Sequence, residues 1–377
     1  MNNSLWTNVE VENATKALTT GVIWNAEGIC IDSRKVQPRD IFVAFKGNRV
    51  DGHSYVLDAF KKGAVAAIVE REIEGLKEEN PLLIVENVQE ALAQLACSAR
   101  NRSAADVIAI TGSVGKTSSK NLLAKALSQF DSVHSTIGNL NNHIGAPLTL
   151  ARLNVSSRFA VFELGMNHSG EIELLSKLIR PKVAMITNVH GVHLEQLKTE
   201  RAVAEAKGEI FQGLTEGGSV VLNQDNAWTE FLKSDAKKRD IQKIITFGED
   251  IKSDLQLVEW QPQNEKSLVT IKHDRKTYKY VLSENGKHRA LNSIGVLACV
   301  HALGLDIERA AESFKEIATP IGRGGQSNIP LPNGGAFCLI DESYNASPVA
   351  MKAAFSALKT MKPDAGGRRL IVIGDML

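Results

Sequence analysis

Neither sign of charge dominates this sequence: 44 Lys and Arg stand against 43 Asp and Glu in 377 residues, a formal net charge of +1. The basic residues are spread along the chain, so no electrostatic footprint for nucleic acid stands out, and a small-molecule substrate is expected. Long hydrophobic runs are missing too. Runs such as 107–111 and 183–187 are strand-sized and far short of the roughly 20 apolar residues that span a bilayer. The start, Met1-Asn2-Asn3-Ser4, lacks the charged and apolar stretches of a secretory signal. Cysteine is scarce. Cys30, Cys97, Cys299 and Cys338 lie far apart in mostly apolar contexts, which argues against disulfides or a zinc site and reads as reduced core thiols in a cytoplasmic protein. There is no internal repeat and no low-complexity tract.

What is present is an alternation of apolar strands and amphipathic helices, in a chain too long for one ordinary core. Up to about residue 103, strand-like 41–44, 65–69 and 82–85 alternate with helical stretches and end in a helix-like run over 88–100, a small α/β unit. A basic connector, Arg100-Asn101-Arg102-Ser103, precedes a strong strand over 106–111 and a helix over 116–130. Strand 159–164, helix 171–179, strand 183–188 and a helix near 202–214 predict a doubly wound parallel sheet. Alternating strands follow over 255–282, then helices over 289–303 and 307–317. A third unit begins near residue 319, with strand 337–340, helix 348–361 and strand 370–373. The expected division is therefore 1–103, 104–318 and 319–377. The last of these ends at Gly374-Asp375-Met376-Leu377 directly after a predicted strand, which reads as a truncated α/β unit.

Between the strand at 106–111 and the helix that follows lies Ile110-Thr111-Gly112-Ser113-Val114-Gly115-Lys116-Thr117. Glycines placed between a strand and a helix expose backbone N–H groups at the helix N-terminus, where they can hold phosphate oxygens. Lys116 would reach the outer phosphates and the Thr117 hydroxyl would coordinate Mg²⁺. The strict phosphate-loop pattern fails, because Ile110 stands where its first glycine belongs. A short G-x-x-G-K-T can also be a structural turn.

The shorter loop and the residues beyond it resemble the Mur ligase family, most closely its D-alanyl-D-alanine-adding branch. The resemblance rests on Gly138-Asn139-Leu140-Asn141-Asn142-His143-Ile144-Gly145, Glu163-Leu164-Gly165-Met166-Asn167-His168-Ser169-Gly170-Glu171, Thr187-Asn188-Val189 with His193-Leu194-Glu195, and Ala206-Lys207-Gly208-Glu209-Ile210-Phe211. Further matches are Asp341-Glu342-Ser343-Tyr344-Asn345-Ala346-Ser347-Pro348, Gly374-Asp375-Met376 and, near the start, Asp32-Ser33-Arg34 and Lys46-Gly47. Together they cover nearly the whole chain in order.

The resemblance implies three α/β units: a UDP-sugar-binding domain, a P-loop ATPase domain and the start of a Rossmann-like C-terminal domain. The implied activity is ATP-dependent joining of D-alanyl-D-alanine to UDP-N-acetylmuramoyl-tripeptide through an acyl phosphate, by a cytoplasmic monomer. It implies that Gly112, Ser113, Gly115, Lys116, Thr117 and Ser118 hold ATP, with Asn292 near adenine and Arg323 and Asp341 contacting nucleotide. Two Mg²⁺ ions are implied, held by Thr117, Glu163, His193 and Lys207, the lysine as its carbamate. Lys116, Lys207 and His193 would then be catalytic. Ser33, Arg34, Lys46, Asn139, Asn141, Asn142, Tyr344 and Asn345 would meet the substrates. Plainer readings stand beside these: Glu163 as a solvated strand-end acid, Lys207 as a helix-face lysine, Arg323 and Asp341 as loop charges, Asp32-Ser33-Arg34 as a capped turn. Arg289 departs from the asparagine common at its position, and Ser347 from another. Rival functions are a family member adding a different amino acid, a folate polyglutamate ligase, a nucleotide- and UDP-sugar-binding fragment without ligase activity, and, least fitting, a P-loop kinase or switch.

Overall fold

In the first hundred residues, apolar stretches too short to make helices pair as strands. The computed structural model describes residues 4–19, 22–77, 79–191, 194–263, 266–317, 321–332, 334–361, 363 and 366–375. The first elements are β1 (Trp6–Thr7), α1 (Asn8–Thr15), β2 (Leu18–Thr19), β3 (Asn25–Ala26), β4 (Gly28–Cys30), β5 (Asp40–Val43), α2 (Val56–Lys61), β6 (Ala66–Val69), β7 (Leu82–Ile84) and α3 (Val88–Arg102). Helix α1 opens with a capping box in which Thr7 and Glu10 satisfy each other's backbone N–H. A five-stranded sheet runs in the order β2-β7-β6-β5-β4, with only β2 antiparallel to its neighbour, and β1 pairs with β3 outside it.

The middle of the chain supplies β8 (Asp106–Thr111), α4 (Lys116–Leu127), β9 (Val133–Ser135), α5 (Gly145–Ala151), β10 (Phe159–Glu163), α6 (Glu171–Ile179), β11 (Val183–Ile186), α7 (Leu194–Leu197), α8 (Glu200–Gly208), β12 (Ser219–Asn223), α9 (Thr229–Lys238) and β13 (Lys243–Gly248). Then come β14 (Leu255–Gln263), β15 (Lys266–His273), β16 (Lys276–Leu282), α10 (Lys287–Ala302) and α11 (Ile307–Glu312). Their nine strands form one sheet in the order β9-β10-β8-β11-β12-β13-β14-β15-β16. It is parallel from β9 to β14 and antiparallel through the β14–β16 meander. Strand β8 explains why it reads as one apolar run. Val107 and Ala109 enter a core with Leu148, Ile172 and Val203, while Ile108 and Ile110, on the opposite face, pack with Leu123 and Ile294. A strand covered by helices on both faces keeps no polar alternation.

The chain leaves β8 for the edge at β9, returns through β10, and crosses to β11 on the other side of β8. That reversal of direction opens a crevice at the carboxyl ends of β8, β10 and β11, where doubly wound sheets bind ligands.

The first and middle units share a core. Trp6, fully buried, belongs to the same apolar cluster as Leu92, Ala146 and Leu175, and its indole Nε1 donates to Ala151 O at 2.9 Å. The guanidinium of Arg102 lies 3.8 Å from the centre of its ring and donates to Leu5 O at 2.6 Å. Arg100 donates to Ile179 O at 2.7 Å and Arg180 O at 3.1 Å. The expected connector over 100–103 is thus corrected: residues 100–102 are the last turn of α3, and their arginines bind both units.

Past α11, β17 (Gly325–Pro330) and β18 (Ala336–Asp341) form an antiparallel pair, followed by α12 (Pro348–Thr360). The strand expected over 370–373 is not formed. Leu370, Ile371, Val372 and Ile373 are exposed, and an apolar run becomes a strand only when a neighbour accepts its ladder hydrogen bonds. The cysteine expectation is half corrected: Cys30 and Cys299 are buried, whereas Cys97 and Cys338 are exposed, on the outer side of α3 and on the uncovered β18. No helix among the described residues is long and apolar enough to cross a membrane.

Replacing Trp6 by Ala removes a side chain that plugs a core shared by two units, with an expected loss of about 3–5 kcal/mol. Urea unfolding followed by circular dichroism measures it; a loss below about 1 kcal/mol would refute the shared-core reading.

Candidate functional site

Strand β8 ends at Thr111, and the chain turns through Gly112 and Gly115 into α4. Gly112 has φ 152°, and a Cβ there would lie 1.9 Å from Thr187 Oγ1; Gly115 has φ 84°, and its Cβ would lie 2.8 Å from Asn292 Nδ2. Both positions exclude side chains, so the two glycines are needed for close packing as well as for the turn.

The loop is held from the end of β11. Asn188 accepts from Val114 N at 3.0 Å and donates to Val114 O at 3.2 Å, and Thr187 Oγ1 donates to the same carbonyl at 2.6 Å. Ser113 N donates to Asn188 O, and the Ser113 hydroxyl donates to His190 O at 3.0 Å while accepting from His190 N at 2.9 Å. Lys116 folds back over the loop, Nζ donating to Gly112 O at 2.7 Å. Burial lowers its pKa, the Glu163 carboxylate opposes that, and Arg323 adds to it. Thr117, in the first turn of α4, is buried.

Glu163 closes β10, level with Ile110 of β8. It is 2% exposed, which sets aside the solvated-acid reading. One oxygen, Oε1, accepts from Asn141 Nδ2 at 2.8 Å; the other, Oε2, is buried with no hydrogen-bond partner among the described residues. An unsatisfied buried carboxylate oxygen is costly, and a cation beside the phosphate loop would satisfy it.

Lys207, near the end of α8, is 2% exposed and therefore no surface lysine. Burial, and then the positive charge of Lys116, push its pKa well below the usual lysine range. Glu209, two residues on, accepts from Ser169 Oγ at 2.8 Å and Gly170 N at 2.7 Å, tying this turn to the loop before α6. His193 lies outside the described residues.

Other expected residues take more specific places. Asn292, on α10, sits against Gly115 of the phosphate loop. Ser118 accepts from Arg289 Nη1 at 2.6 Å. Arg289 also pairs with Glu284 at 3.4 Å and donates to Arg323 O. The Arg323 guanidinium lies 4.2 Å from the centre of the Tyr344 ring. Asp341 accepts from Ser343 N at 3.0 Å, and the Ser343 bonds hold its carboxyl below the usual range. Asn345 accepts from the adjacent Ala346 N. Asn139 is exposed, and Asn142 caps α5 by accepting from Gly145 N at 2.9 Å.

In the first unit, Arg34 makes a two-pronged pair with Asp32, both bonds 2.9 Å, which holds the Asp32 carboxyl down to about 2. Ser33 O accepts from Lys62, and the backbone of exposed Lys46 forms an isolated antiparallel β-bridge with that of Asp51. A turn does form at 32–34, but the side chain that accepts within it is that of Asp32, from Arg34 N at 3.1 Å, rather than the serine expected to cap it.

Sequence reasoning assigned no role to Asn188, Glu209 or Lys120. The first two sit inside quoted motifs; the third had a signal in its spacing, since a lysine one turn after Lys116 shares its helix face.

Residues 110–300 match the Mur ligase middle domain, and residues 25–100 match the Mur ligase family catalytic domain. The UDP-N-acetylmuramoyl-tripeptide–D-alanyl-D-alanine ligase of Rickettsia prowazekii (strain Madrid E) is 36% identical over 353 residues, 94% of this chain and 76% of the relative. Among solved structures, MurF from Acinetobacter baumannii superposes with a TM-score of 0.83 at 31% identity, covering 95% of this chain and 77% of that one. MurF ligase from Thermotoga maritima in complex with ADP gives 0.73 at 27% identity, covering 88% and 74%. The chain thus spans about three quarters of these relatives' lengths, which does not establish the truncation expected from residues 374–377. With both domain matches in sequence order and a strand–loop–helix phosphate cradle between β8 and α4, the chain belongs to the Mur ligase family.

Proposed function

We propose that this chain is an ATP-dependent cytoplasmic ligase that joins D-alanyl-D-alanine to UDP-N-acetylmuramoyl-tripeptide, yielding the pentapeptide precursor of peptidoglycan. The observation that carries the phosphoryl chemistry is the buried Glu163 oxygen, without a hydrogen-bond partner among the described residues, at the carboxyl end of β10, level with the end of the strand that leads into the phosphate loop. Identity to a ligase named for this reaction supports the choice of substrates.

In the proposed reaction the terminal carboxylate of the peptide attacks the γ-phosphorus of ATP and ADP leaves, giving an acyl phosphate. The amine of D-alanyl-D-alanine then attacks the acyl carbon, phosphate departs, and the amine loses its proton. No protein nucleophile is needed. Lys116 exchanges its loop carbonyls for phosphate oxygens, and the N–H groups at the start of α4 orient them. Asn292, which sits against Gly115, is assigned to the nucleotide near its adenine, with Ser113, Ser118, Arg323 and Asp341 around the nucleotide. When bound, two Mg²⁺ ions offset the repulsion between carboxylate and triphosphate. Thr117 and Glu163 would hold one; His193 and carbamylated Lys207 would complete the second site.

Lys207 suits that modification. Burial disfavours the charged form of its amine, and it is the neutral amine that adds to CO₂ and sheds a proton, turning a would-be cation into an anionic oxygen donor. In the first unit, taken as 1–103, Arg34 exchanges Asp32 for the diphosphate of the UDP-sugar, with Ser33 and Lys46 beside it. Residues 104–318 form the ATP-binding unit. Residues 319–377 belong to the C-terminal ligase unit, whose Tyr344 and Asn345 approach the substrates together with Asn139, Asn141 and Asn142 of the middle unit. The protein acts as a monomer.

Phosphate release from ATP with UDP-N-acetylmuramoyl-tripeptide should depend on D-alanyl-D-alanine, and mass spectrometry should find the pentapeptide. Release with a single amino acid instead would assign a different family member, and ATP binding without release would leave a non-ligating binding protein. Lys116→Ala should lower the rate by about a hundredfold or more while the fold persists. Protein equilibrated with ¹³C-bicarbonate should give a carbamate ¹³C NMR signal that Lys207→Met lacks; wild type without that signal would end the carbamate assignment.

A further inference from the structure

Lys120 is as buried as any core leucine, 2% exposed, yet it carries an ammonium. It lies one turn beyond Lys116 on α4, but its Nζ serves a different segment, donating to Thr136 O at 2.7 Å and reaching Gly138 O at 3.5 Å. Burial works against its charge, and the Glu163 carboxylate supports it. A lysine placed this deep, one helical turn from the phosphate loop, is expensive unless its bonds accomplish something.

The segment it grips leads to Glu163 by two routes. Thr136 is itself buried; its N–H donates to Val161 O of β10, and its hydroxyl accepts from Glu163 N at 3.2 Å. Three residues past Gly138, Asn141 donates to Glu163 Oε1 at 2.8 Å, and its carbonyl accepts from Gly165 N just beyond. The approach is tight, because a Cβ on Gly165 would lie 2.9 Å from Asn141 Oδ1. Residues 136–141 thus hold both the backbone and one side-chain oxygen of Glu163, and Lys120 holds residues 136 and 138.

We propose that Lys120 is a positioning residue for Glu163: by gripping the 136 and 138 carbonyls it seats Asn141 on one carboxylate oxygen and keeps the other disengaged for a divalent cation. This rests on the reading that Glu163 holds Mg²⁺ beside the nucleotide phosphates. Lys120 touches neither nucleotide nor metal. Its effect is carried by the loop, so loss of Lys120 should weaken the cation's contribution to binding and leave the nucleotide's own affinity alone.

The test uses the full chain and ADP. Calorimetric titrations in EDTA and across a Mg²⁺ series are made for wild type, Lys120→Met, Asn141→Ala and the double variant, with Mn²⁺ binding followed by electron paramagnetic resonance. Lys120→Met should bind ADP in EDTA within about twofold of wild type but need 10- to 100-fold more metal, the usual cost of losing a group that orients a metal ligand. Asn141→Ala should do the same, and the double variant should be no worse than either, since both act through one contact. ADP affinity that falls equally with and without metal would make Lys120 a phosphate ligand and overturn the proposal. Unchanged metal dependence, or effects of the two substitutions that add, would also overturn it. If Lys120→Met does not fold, Lys120→Gln, which keeps a donor, is titrated in its place and judged by the same outcomes. Wild type whose ADP affinity ignores Mg²⁺ would defeat the metal reading itself, a failure distinct from that of the variants alone.

Discussion

The grip of Asn188 on Val114 is the contact on which the site's geometry depends. A single side-chain amide satisfies both the N–H and the C=O of one loop residue, and Thr187 adds a third bond to the same carbonyl. Two glycines leave the loop with few local preferences, so its shape has to be imposed from outside. The end of β11 imposes it. Strand order does the rest: β8 lies between β11 and β10, so the strand that clamps the loop and the strand that presents Glu163 approach from opposite sides.

Charge in the crevice is lopsided. Lys116 and Lys120 both have their charge supported by one buried carboxylate, Glu163, while burial lowers the pKa of these two lysines and of Lys207. Such an arrangement suits a polyanion, whose oxygens would balance the lysines. Lys116 bonds to its own loop carbonyls, and one Glu163 oxygen has no hydrogen-bond partner among the described residues.

Much of this was legible in the sequence, for identifiable reasons. Strand β8 announced itself because a strand covered on both faces is continuously apolar, and α6 was read at its observed limits, Glu171–Ile179, because amphipathic spacing and flanking turn residues agreed. Residues 100–103 misled because arginine and asparagine look like a linker, whereas here the guanidinium groups reach carbonyls distant in sequence. The run at 370–373 misled because apolar character signals a strand only in company. Within the site, the loop's spacing pointed to Lys116 and the family resemblance to Glu163 and Lys207, but neither spoke to how these side chains are supported. That Asn141 faces Glu163, that Asn142 caps a helix and that Arg289 takes up Ser118 depend on side-chain directions set by contacts across 22, 3 and 171 residues.

The bond from Trp6 to the carbonyl of Ala151 joins residues 145 apart in the chain. During synthesis β1 emerges long before α5 does, so the Trp6 indole stays in water until the surface it enters has been made. The first hundred residues reach the packing described above only once that surface is present, unlike N-terminal domains that finish folding on their own. A pause or cleavage between residues 103 and 151 would leave an open apolar flank for chaperones to cover.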